Sequence, residues 1–505
     1  MKIFTSEVLK EIDRVTCEVQ GISSIELMER AATAVSCEIV SRFNPTQRMI
    51  IFAGWGNNGG DALAVARLLF EQGYRKLEVF LFNVIGKLTP ECEEEKKRLI
   101  SIEGIDFTEI TKDFQPPYLS ERDVVIDGLF GRGIHGQLRN GFPNLVNYIN
   151  DSGAYVISID IPSGLSGEWN SGSRRYMIHA NLTLTFQFPR LSFFFEENKD
   201  VIGEWRLLDI GLDETKIKDL PVDYMLVEER NVRPLLKKRD EFSSKKDYGA
   251  ALFFAGSIGM GGAAFFSAKG CLRTGAGLVT VHSSRINLSI IQTTIPEALF
   301  EPDRDENFIT DMSVHHNYQA VAVGPGLGVN DKTIDALESL LKLYKQPIVL
   351  DADALNCMAM RPHLLSLLPA HSVITPHILE FDRLFGEHMG SEDRLKKAID
   401  MAKYYNIIIV LKGHFTATIR PTGRVYFNST GNPGLATPGS GDVLTGIITS
   451  FIAQGFRPEQ AATLGVFIHG MAGDLAVEKW GEYGIMASEI ADMSAVALKK
   501  ITTRK

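Results

Sequence analysis

The chain lacks several features that would place it at once in a large class of proteins. Its 505 residues include five cysteines, none of them paired at C-x-x-C spacing, which argues against a disulfide framework or a zinc site. Positive charge is scarce as well: the formal net charge is −9, whereas proteins that hold nucleic acid through its phosphates usually have a basic surface. The most apolar stretch, residues 182–195, is interrupted by Gln187, Pro189 and Arg190, so we expect no membrane-spanning helix.

The remaining composition is that of a globular, intracellular protein. Hydrophobic residues make up 45% and charged residues 23%, which leaves enough apolar material for two large cores. Charged side chains occur early, at Glu7, Lys10 and Glu11, so we expect no signal peptide. We therefore predict a cytoplasmic protein, with no nucleic-acid or membrane partner, that assembles as a homo-oligomer.

Short apolar runs alternate with segments of helical periodicity along most of the chain. Helical spacing appears at residues 23–42 and 61–72. Candidate strands are residues 48–53, 77–82, 123–126, 154–159, 250–255, 277–282, 320–323, 347–350, 372–375 and 407–411. This alternation predicts α/β architecture, with parallel sheets covered by helices on both faces.

Regular patterning fades between residues 207 and 247, a stretch that contains two prolines and a charged run. We interpret residues 216–240 as a boundary segment, which could be a loop or an arm packed on the second domain. The sequence thus predicts an N-terminal domain over residues 1–215 and a C-terminal domain over residues 241–505.

A glycine-rich turn follows the first predicted strand of the N-terminal domain. Residues 54–59 satisfy G-x-G-x-x-G, but the strand at 77–82 ends in Asn83 rather than in the acid that a dinucleotide-binding domain uses for its ribose. An ordinary hydride-transferring domain is therefore disfavoured. Asn57 and Asn58 offer side-chain oxygens, and Asp61 is expected to cap the helix that follows. Such a turn could cradle phosphate and ligate a monovalent cation.

Two further strands of this domain end in aspartate next to glycine. Asp127 follows residues 123–126, and Asp160 follows residues 154–159, with Ser163 close behind. Either aspartate alone could be a helix cap. Because ligands of open parallel sheets bind beyond the carboxyl ends of the strands, we expect the two to share one site with Asn58.

These motifs are specific in combination. Asn57-Asn58-Gly59-Gly60-Asp61, Asp127-Gly128-Leu129-Phe130-Gly131 and Asp160-Ile161-Pro162-Ser163-Gly164 resemble the NAD(P)H-hydrate epimerase family. The resemblance implies a Rossmann-like three-layer α/β/α domain and potassium ligands at Asn58, Asp127 and Ser163. It also implies substrate contacts at Asn57, Asn58, Gly59, Gly60, Asp61, Gly131, Arg132, Gly133, Ile134, His135, Gly136, Gln137 and Asp160. One departure is Ala62, at a position where the family usually has glycine.

Asp160 is the candidate catalytic residue of this domain. Epimerisation at C6 needs the hydroxyl to leave and return, or the ring to open and reclose. Either route calls for a carboxylate that handles a proton or stabilises a cationic ring. A buried carboxylate close to a cation should remain ionised.

The second half contains a glycine-rich segment, residues 431–446, that leads into an apolar helix predicted at 443–452. Within it, the N–H groups of Gly439-Ser440-Gly441-Asp442 would form an anion hole at the helix start. Asp442 would lie at the same point and could act as a base on an attacking hydroxyl. The alternative is a helix that is merely capped by Asp442.

This turn resembles the ribokinase-like superfamily, and other segments are similar to its NAD(P)H-hydrate dehydratase branch. The matching segments are Gly259-Met260-Gly261-Gly262-Ala263-Ala264, Gly324-Pro325-Gly326-Leu327-Gly328, Asp351-Ala352-Asp353-Ala354-Leu355-Asn356, Thr375-Pro376-His377-Ile378-Leu379-Glu380 and Leu411-Lys412-Gly413-His414. The resemblance implies that Ala264, Gly326, His377 and Asp442 contact the hydrated cofactor. It implies nucleotide contacts at Lys412, Gly413, His414, Phe415, Thr416 and Gly441. Ser244-Lys245-Lys246 departs from the family, which often has His-Lys-Gly there.

The two resemblances together predict repair of hydrated NADH and NADPH (NADHX and NADPHX). The N-terminal domain would interconvert the R and S hydrates, and the C-terminal domain would dehydrate the S hydrate with ADP and Mg²⁺, releasing AMP and phosphate. Asp442 would deprotonate the C6 hydroxyl. The alternatives are a ribokinase-like small-molecule kinase with a regulatory Rossmann-like domain, and an N-terminal module that binds nucleotide or RNA. The latter is disfavoured by the acidic balance.

Overall fold

The chain folds into two compact units in the computed structural model. The structure describes residues 1–133, 136–170, 175–236 and 238–503. The first unit comprises residues 2–222 and the short segment 390–392, and the second comprises Met1 and the remainder. The division between Val222 and Asp223 lies within the segment that the sequence suggested as a boundary.

The first unit is built on a parallel sheet. Its helices are α1 Ser6–Gln20, α2 Ser24–Arg42, α3 Asn57–Glu71, α4 Pro90–Ile100, α5 Phe142–Asn150, α6 Lys199–Ile202 and α7 Glu214–Ile217. Its strands are β1 Lys2–Ile3, β2 Met49–Ala53, β3 Leu77–Phe82, β4 Asp106–Ile110, β5 Val124–Gly128, β6 Tyr155–Ile159, β7 Leu182–Phe186 and β8 Glu204–Leu208. Strands β2 to β8 form a seven-stranded sheet in the order β4-β3-β2-β5-β6-β7-β8, and each neighbouring pair is parallel.

Helices bury both faces of this sheet. Alternate residues of β2 belong to two different cores: Ile51 packs with α2 and α3, and Phe52 packs with α5. Both side chains are fully buried, and each such burial stabilises the unit by ~1.5–3 kcal/mol. Ser23 caps α2, because Ser23 and Glu26 form a reciprocal capping box. The result is a three-layer α/β/α unit.

The second unit contains a mixed sheet. Its helices are α8 Glu229–Val232, α9 Gly261–Arg273, α10 Leu288–Thr294, α11 Asp331–Leu343, α12 Asp353–Met360, α13 Ile378–Phe385, α14 Ser391–Tyr405, α15 Ser440–Ala453, α16 Pro458–Trp480 and α17 Ala487–Thr503. Its strands are β9 Tyr224–Val227, β10 Ala250–Phe254, β11 Leu278–Ser283, β12 Leu299–Pro302, β13 Ala320–Val323, β14 Ile348–Leu350, β15 Val373–Ile374, β16 Ile408–Leu411, β17 Ala417–Ile419 and β18 Val425–Asn428. They follow the order β9-β18-β17-β16-β15-β14-β13-β10-β11-β12.

Neighbouring strands of this sheet are parallel except where β17 runs antiparallel to both β16 and β18. One face of the sheet packs on α9, α15, α16 and α17, with Phe253 and Ala322 in that core. Phe254 and Val323, which point to the opposite face, are fully buried as well. The α/β class is therefore confirmed for both units. Within the part of the chain described, no helix is long and apolar enough to cross a membrane.

Candidate active sites

The first candidate site lies at the carboxyl ends of β2, β5 and β6, which are neighbours in the sheet. Glycines let the turns after these strands approach each other. A Cβ atom on Gly54 would lie 1.8 Å from the carbonyl oxygen of Leu129, and one on Gly59 would lie 1.8 Å from the carbonyl oxygen of Gly54. Both distances are far inside van der Waals contact, so only glycine fits at either position.

Helix α3 begins four residues earlier than predicted, which corrects the role expected of Asp61. The helix starts at Asn57, its N-cap is Gly56, and no side chain caps it. Asp61 therefore lies in the second turn and is not the cap. Residues of low helix propensity are helical here because tertiary packing decides: Gly59 packs on Gly54, and a Cβ on residue 60 would press on Met28. The uncapped first-turn N–H groups form an anion-binding helix end.

The side chains predicted as potassium ligands surround the end of β5. Asp127 is fully buried, its Oδ1 accepts a hydrogen bond from Ser163 Oγ at 2.5 Å, and its Oδ2 accepts one from Ser163 N at 2.9 Å. Asn58 borders the loop that follows, because a Cβ on Gly131 would lie 3.3 Å from Asn58 Oδ1. Asn58 is 8% exposed, and its amide nitrogen has no hydrogen-bond partner among the described residues.

The donor set of this cluster suits a hard monovalent cation. Three buried side chains offer a carboxylate, an amide and a hydroxyl oxygen. Burial raises the pKa of Asp127, although hydrogen bonds from Ser163 and Ser158 oppose the shift. A bound cation would favour the ionised carboxylate further. Nowhere in the described ranges do three or more His, Cys, Asp or Glu side chains form a group that could hold a metal ion, so this candidate site depends on the amide and hydroxyl oxygens.

Asp160 has a strained backbone and a buried carboxylate. Its φ is +65°, a left-handed conformation that is rare for a residue other than glycine and is often found at functional sites. Its Oδ1 accepts a hydrogen bond from Arg190. Burial alone would raise the pKa of Asp160, but the charges of Arg190 and Arg132 hold it below its ordinary value. The expectation that this carboxylate stays ionised is supported, and arginines are the cause.

The pKa of a second carboxyl group in the site is shifted in the opposite direction. Burial and the charge of Asp160 raise the pKa of Asp61 well above its usual range. Arg132 lies near both carboxyl groups, and its guanidinium is paired with Asp13 on α1. Two neighbouring carboxyl groups with divergent proton affinities are typical of acid–base sites.

The predicted substrate loop at residues 131–137 is only partly described. Gly131 contacts Asn58, and the backbone N–H of Arg132 is hydrogen-bonded to Asp160. Gly136 has a φ of +90°. Ile134 and His135 lie outside the described residues.

Arg190 is a site residue that the sequence analysis missed. It follows β7, the strand that neighbours β6 in the sheet, and it is 2% exposed. The sequence contained a signal, since Arg190 is the one cationic residue in the apolar run 182–195.

The second candidate site lies at the carboxyl ends of β14 and β16, where they face the start of α15. Asp351 is 1% exposed, and its two oxygens accept hydrogen bonds from Lys412 Nζ at 2.9 Å and Thr445 Oγ1 at 2.7 Å. A Cβ on Gly441 would lie 3.4 Å from Lys412 Nζ. The structure thus brings Lys412, Gly441 and Asp442 together around Asp351, whose pairing with Lys412 the sequence did not reveal.

The glycine turn at the start of α15 has the predicted geometry. The N-cap Gly439 has a φ of +88°, and no side chain caps the helix, so the first-turn N–H groups can bind an anion. Asp442 lies in that first turn and does not cap it, which removes the alternative reading. Burial and the charge of Asp351 raise the pKa of Asp442 to about 7.

His377 is the N-cap of α13. Its Nδ1 accepts hydrogen bonds from Leu379 N at 3.1 Å and Glu380 N at 3.3 Å. Because Nδ1 is an acceptor, the ring proton belongs on Nε2. Burial and the charge of Lys412 lower the pKa of His377, so the ring is a neutral donor at Nε2. Its Nε2 lies 3.3 Å from Glu380 Oε1.

Gly326 and Ala264 are the other residues of this unit predicted to contact the hydrated cofactor. Gly326 has a φ of +58° and packs on Met260, where a Cβ atom would lie 2.8 Å from the Met260 Cβ. Ala264 is fully buried below the turn at Gly256, so its small size accommodates that turn.

The predicted nucleotide loop connects β16 to β17. Gly413 N donates to Thr416 Oγ1 at 3.3 Å, and the rings of His414 and Phe415 meet edge to face at 4.4 Å. Lys412 starts this loop and is the member that reaches Gly441.

Comparison with known proteins assigns the chain to a family. A family model described as NAD(P)H-hydrate dehydratase matches residues 251–495, and one described as YjeF-related protein N-terminus matches residues 24–192. A bifunctional NAD(P)H-hydrate repair enzyme of Coxiella burnetii is 34% identical over 97% of each chain. The chain belongs to the bifunctional NAD(P)H-hydrate repair enzyme family. This membership favours the repair interpretation over the small-molecule kinase.

Solved structures resemble the second unit. A ribokinase-like superfamily protein of Enterococcus faecalis is 25% identical, with a TM-score of 0.50, and the match covers 56% of this chain and 99% of that one. An ADP/ATP-dependent NAD(P)H-hydrate dehydratase of Bacillus subtilis, co-crystallised with ATP and Mg²⁺, is 30% identical with a TM-score of 0.48, over 55% of this chain and 98% of that one. The predicted ribokinase-like fold of the second unit is confirmed.

Proposed function

We propose that this chain repairs NADHX and NADPHX in two steps, one in each unit. The first unit interconverts the R and S hydrates at C6. The second dehydrates the S hydrate with ADP as the phosphoryl donor. The observation that carries the proposal is similarity to a bifunctional repair enzyme along 97% of the chain, together with one carboxylate-centred site in each unit.

Asp442 is assigned as the base of dehydration. With a pKa of about 7, a large fraction of this buried carboxyl group is ionised near neutral pH and can accept the proton of the C6 hydroxyl. The hydroxyl oxygen then attacks the β-phosphorus of ADP, AMP leaves, and C6 carries a phosphate ester. The lone pair of the ring nitrogen expels phosphate, and loss of a C5 proton re-forms the double bond of NAD(P)H.

The start of α15 supplies the electrostatic part of this step. Uncapped first-turn N–H groups next to Gly441 can stabilise the transferring phosphoryl oxygens, and Lys412 adds a positive charge at 3.4 Å from the Cβ position of Gly441. Mg²⁺ arrives with ADP as part of the substrate and neutralises phosphate charge. His377 offers a neutral Nε2–H to the hydrated nicotinamide.

Asp160 is assigned as the catalytic carboxylate of epimerisation. It remains ionised because Arg190 and Arg132 lower its pKa, so it can stabilise a cationic ring or accept a proton from the C6 hydroxyl. Asp61, whose pKa is raised, is the carboxyl group of the pair that holds a proton more readily, and in its protonated form it can donate a hydrogen bond. By the route through a cationic ring, the C6 hydroxyl takes up a proton and leaves as water, and the return of water to either face of the planar ring, with release of that proton, gives the two epimers.

Potassium is proposed for the cluster of Asn58, Asp127 and Ser163. When bound, the ion would orient substrate oxygens next to the start of α3. The buried carboxylate, amide and hydroxyl oxygens of these three residues support this assignment.

The direct test is to incubate the protein with mixed epimers of NADH hydrate, ADP and Mg²⁺, and to follow recovery of the reduced-nicotinamide absorbance. We expect complete recovery, with AMP and phosphate formed in equal amounts. Recovery that stops when the S hydrate is exhausted would refute the epimerase assignment. Accumulation of a phosphorylated product without recovered absorbance would instead favour the small-molecule kinase.

The cellular location and the oligomeric state are two further parts of the proposal. We infer a cytoplasmic location from the cysteine spacing and the homologous function. A homo-oligomer is expected, and light scattering on the purified protein would measure its state.

A further inference from the structure

Arg190 is unusual among the charged side chains of the first unit. It is 2% exposed, and its guanidinium reaches one described acceptor, the carboxylate of Asp160. The Nε and Nη1 atoms are buried and have no hydrogen-bond partner among the described residues. Unpaired buried donors of a charged group destabilise a fold, and an apolar residue of similar volume would serve the core better. Structural stability alone therefore does not explain this residue.

The local fold brings Arg190 to Asp160 across neighbouring strands. Ile159 of β6 is in register with Leu184 of β7, and Asp160 N donates to Leu184 O at 2.7 Å. The chain then departs from both strands, at Asp160 with a φ of +65° and at Gln187 with a φ of +55°. Two left-handed residues after neighbouring strands thus set the geometry of one ion pair.

We propose that Arg190 is a positioning residue for epimerisation, because its guanidinium fixes the Asp160 carboxylate against the strained turn that follows β6. This inference rests on the proposed function of Asp160. Other charged groups near that carboxylate are Asp61 on α3 and Arg132 in the loop after β5, with Asp13 on α1 paired to Arg132. Among them, Arg190 is the group that hydrogen-bonds Asp160 through its side chain.

The test uses the full chain, because dehydration of the S hydrate by the second unit reports on each variant independently. Epimerisation of the R hydrate is measured for Arg190→Met, Arg190→Lys and Arg190→Ala. We expect Arg190→Met to lower kcat for the R hydrate by ~10²-fold with little change in KM, because a misplaced base slows the chemical step. Arg190→Lys should retain at least about a tenth of the rate, and guanidinium ion should partly restore Arg190→Ala.

A matched control removes another largely buried arginine from the same unit. Arg67 pairs with Glu29 at the interface of α2 and α3, with its side chain 12% exposed. Arg67→Met should keep the epimerisation rate within about threefold, even if it lowers thermal stability. This variant shows whether the loss of any buried ion pair slows epimerisation, or only the loss of the pair between Arg190 and Asp160.

The pH profile distinguishes positioning from simple packing. Loss of the Arg190 charge raises the pKa of Asp160, so the acid side of the epimerisation profile should move to higher pH in Arg190→Met. Wild-type kcat in Arg190→Met would overturn the proposal. Equal losses in Met and Lys variants, with an unchanged pH profile and no guanidinium rescue, would also overturn it. If Asp160→Asn retained epimerisation, the assignment of Asp160 itself would fail, which is a separate result.

Discussion

Each unit contains a buried carboxyl group close to the ends of parallel strands, and the pKa values of the two groups are shifted in opposite directions. Asp160 and Asp442 both lie where parallel strands end, next to glycine turns and an uncapped helix start. Arginines lower the pKa of Asp160, whereas burial and the charge of Asp351 raise that of Asp442 to about 7. A buried carboxylate thus becomes a permanent anion or a titrating base according to the charges around it.

The chemistry assigned to each unit explains the difference. A cationic ring is stabilised by a carboxylate that is always ionised. A base that must take a proton from a hydroxyl works best with a pKa near the operating pH. The two environments therefore match two reaction types, and substitutions in each unit test this contrast.

The largest effect is expected for Asp442→Asn. An amide cannot accept the hydroxyl proton, so recovery of NADH from either epimer should fall by ~10³-fold or more. Coupled absorbance assays with pure S hydrate and with mixed hydrates measure this. Wild-type epimerisation in the same variant, followed by separating the R and S hydrates on a column, is the control. A variant that still dehydrates the S form at a tenth of the normal rate would contradict the assignment.

Asp160→Asn should have a smaller and more selective effect. Epimerisation of the R hydrate should fall by ~10²–10³-fold, because an uncharged amide neither stabilises a cation nor accepts a proton. Dehydration of the S hydrate should be unchanged, since that site is in the other unit. Parallel loss of both activities, in a protein that is folded by circular dichroism, would count against the division of labour.

Asp61→Asn tests whether Asp61, the carboxyl group with the raised pKa, acts as a neutral hydrogen-bond donor. A protonated carboxyl group and an amide can both donate a hydrogen bond, so we expect a loss of less than about tenfold in epimerisation. Asp61→Ala, which removes the donor, should lose more. If Asp61→Asn were as inactive as Asp160→Asn, Asp61 would have to transfer a proton.

The smallest effect concerns stability. The folded-state pKa of Asp442 is about 7, above the ordinary value of 3.8, so its ionisation lowers the stability of the folded state progressively between these two pH values and fully above pH ~7. Asp442→Asn should therefore stabilise the second unit at pH 8 by on the order of a few kcal/mol, and by less at pH 5. Thermal unfolding at both pH values measures the difference. Asp331→Asn, which removes an exposed carboxylate, is the control, and an equal gain at both pH values in Asp442→Asn would contradict the account.

Local patterns in the sequence were sufficient for much of the fold. The strands predicted at 77–82 and 320–323 coincide with β3 and β13, because buried parallel strands are short apolar runs bounded by turn residues. The glycine turns and the aspartates that follow strands also lie where predicted. Strands β9, β17 and β18 were missed although they are no shorter than β14, so a short length is not the reason; β9 lies in the segment interpreted as a domain boundary.

The partners of the site residues depend on tertiary structure and could not be read from spacing. Arg190 lies 30 residues from Asp160, and Lys412 lies 61 residues from Asp351. Nothing in the local sequence sets those pairings, although a lone arginine in an apolar run after a strand is a usable signal. The start of α3 was misplaced for the same reason, because packing on Gly54 overrides the low helix propensity of Asn57 and Gly59.

The central claim is tested most directly by the pH dependence of kcat/KM for both half-reactions of the wild-type protein. Dehydration of the S hydrate should fall about tenfold per pH unit below pH ~7, where Asp442 becomes protonated. Epimerisation of the R hydrate should be flat between pH ~5 and ~8, because Asp160 remains ionised throughout that range. An epimerisation profile that falls with the same midpoint as dehydration would contradict the opposite tuning of the two carboxylates.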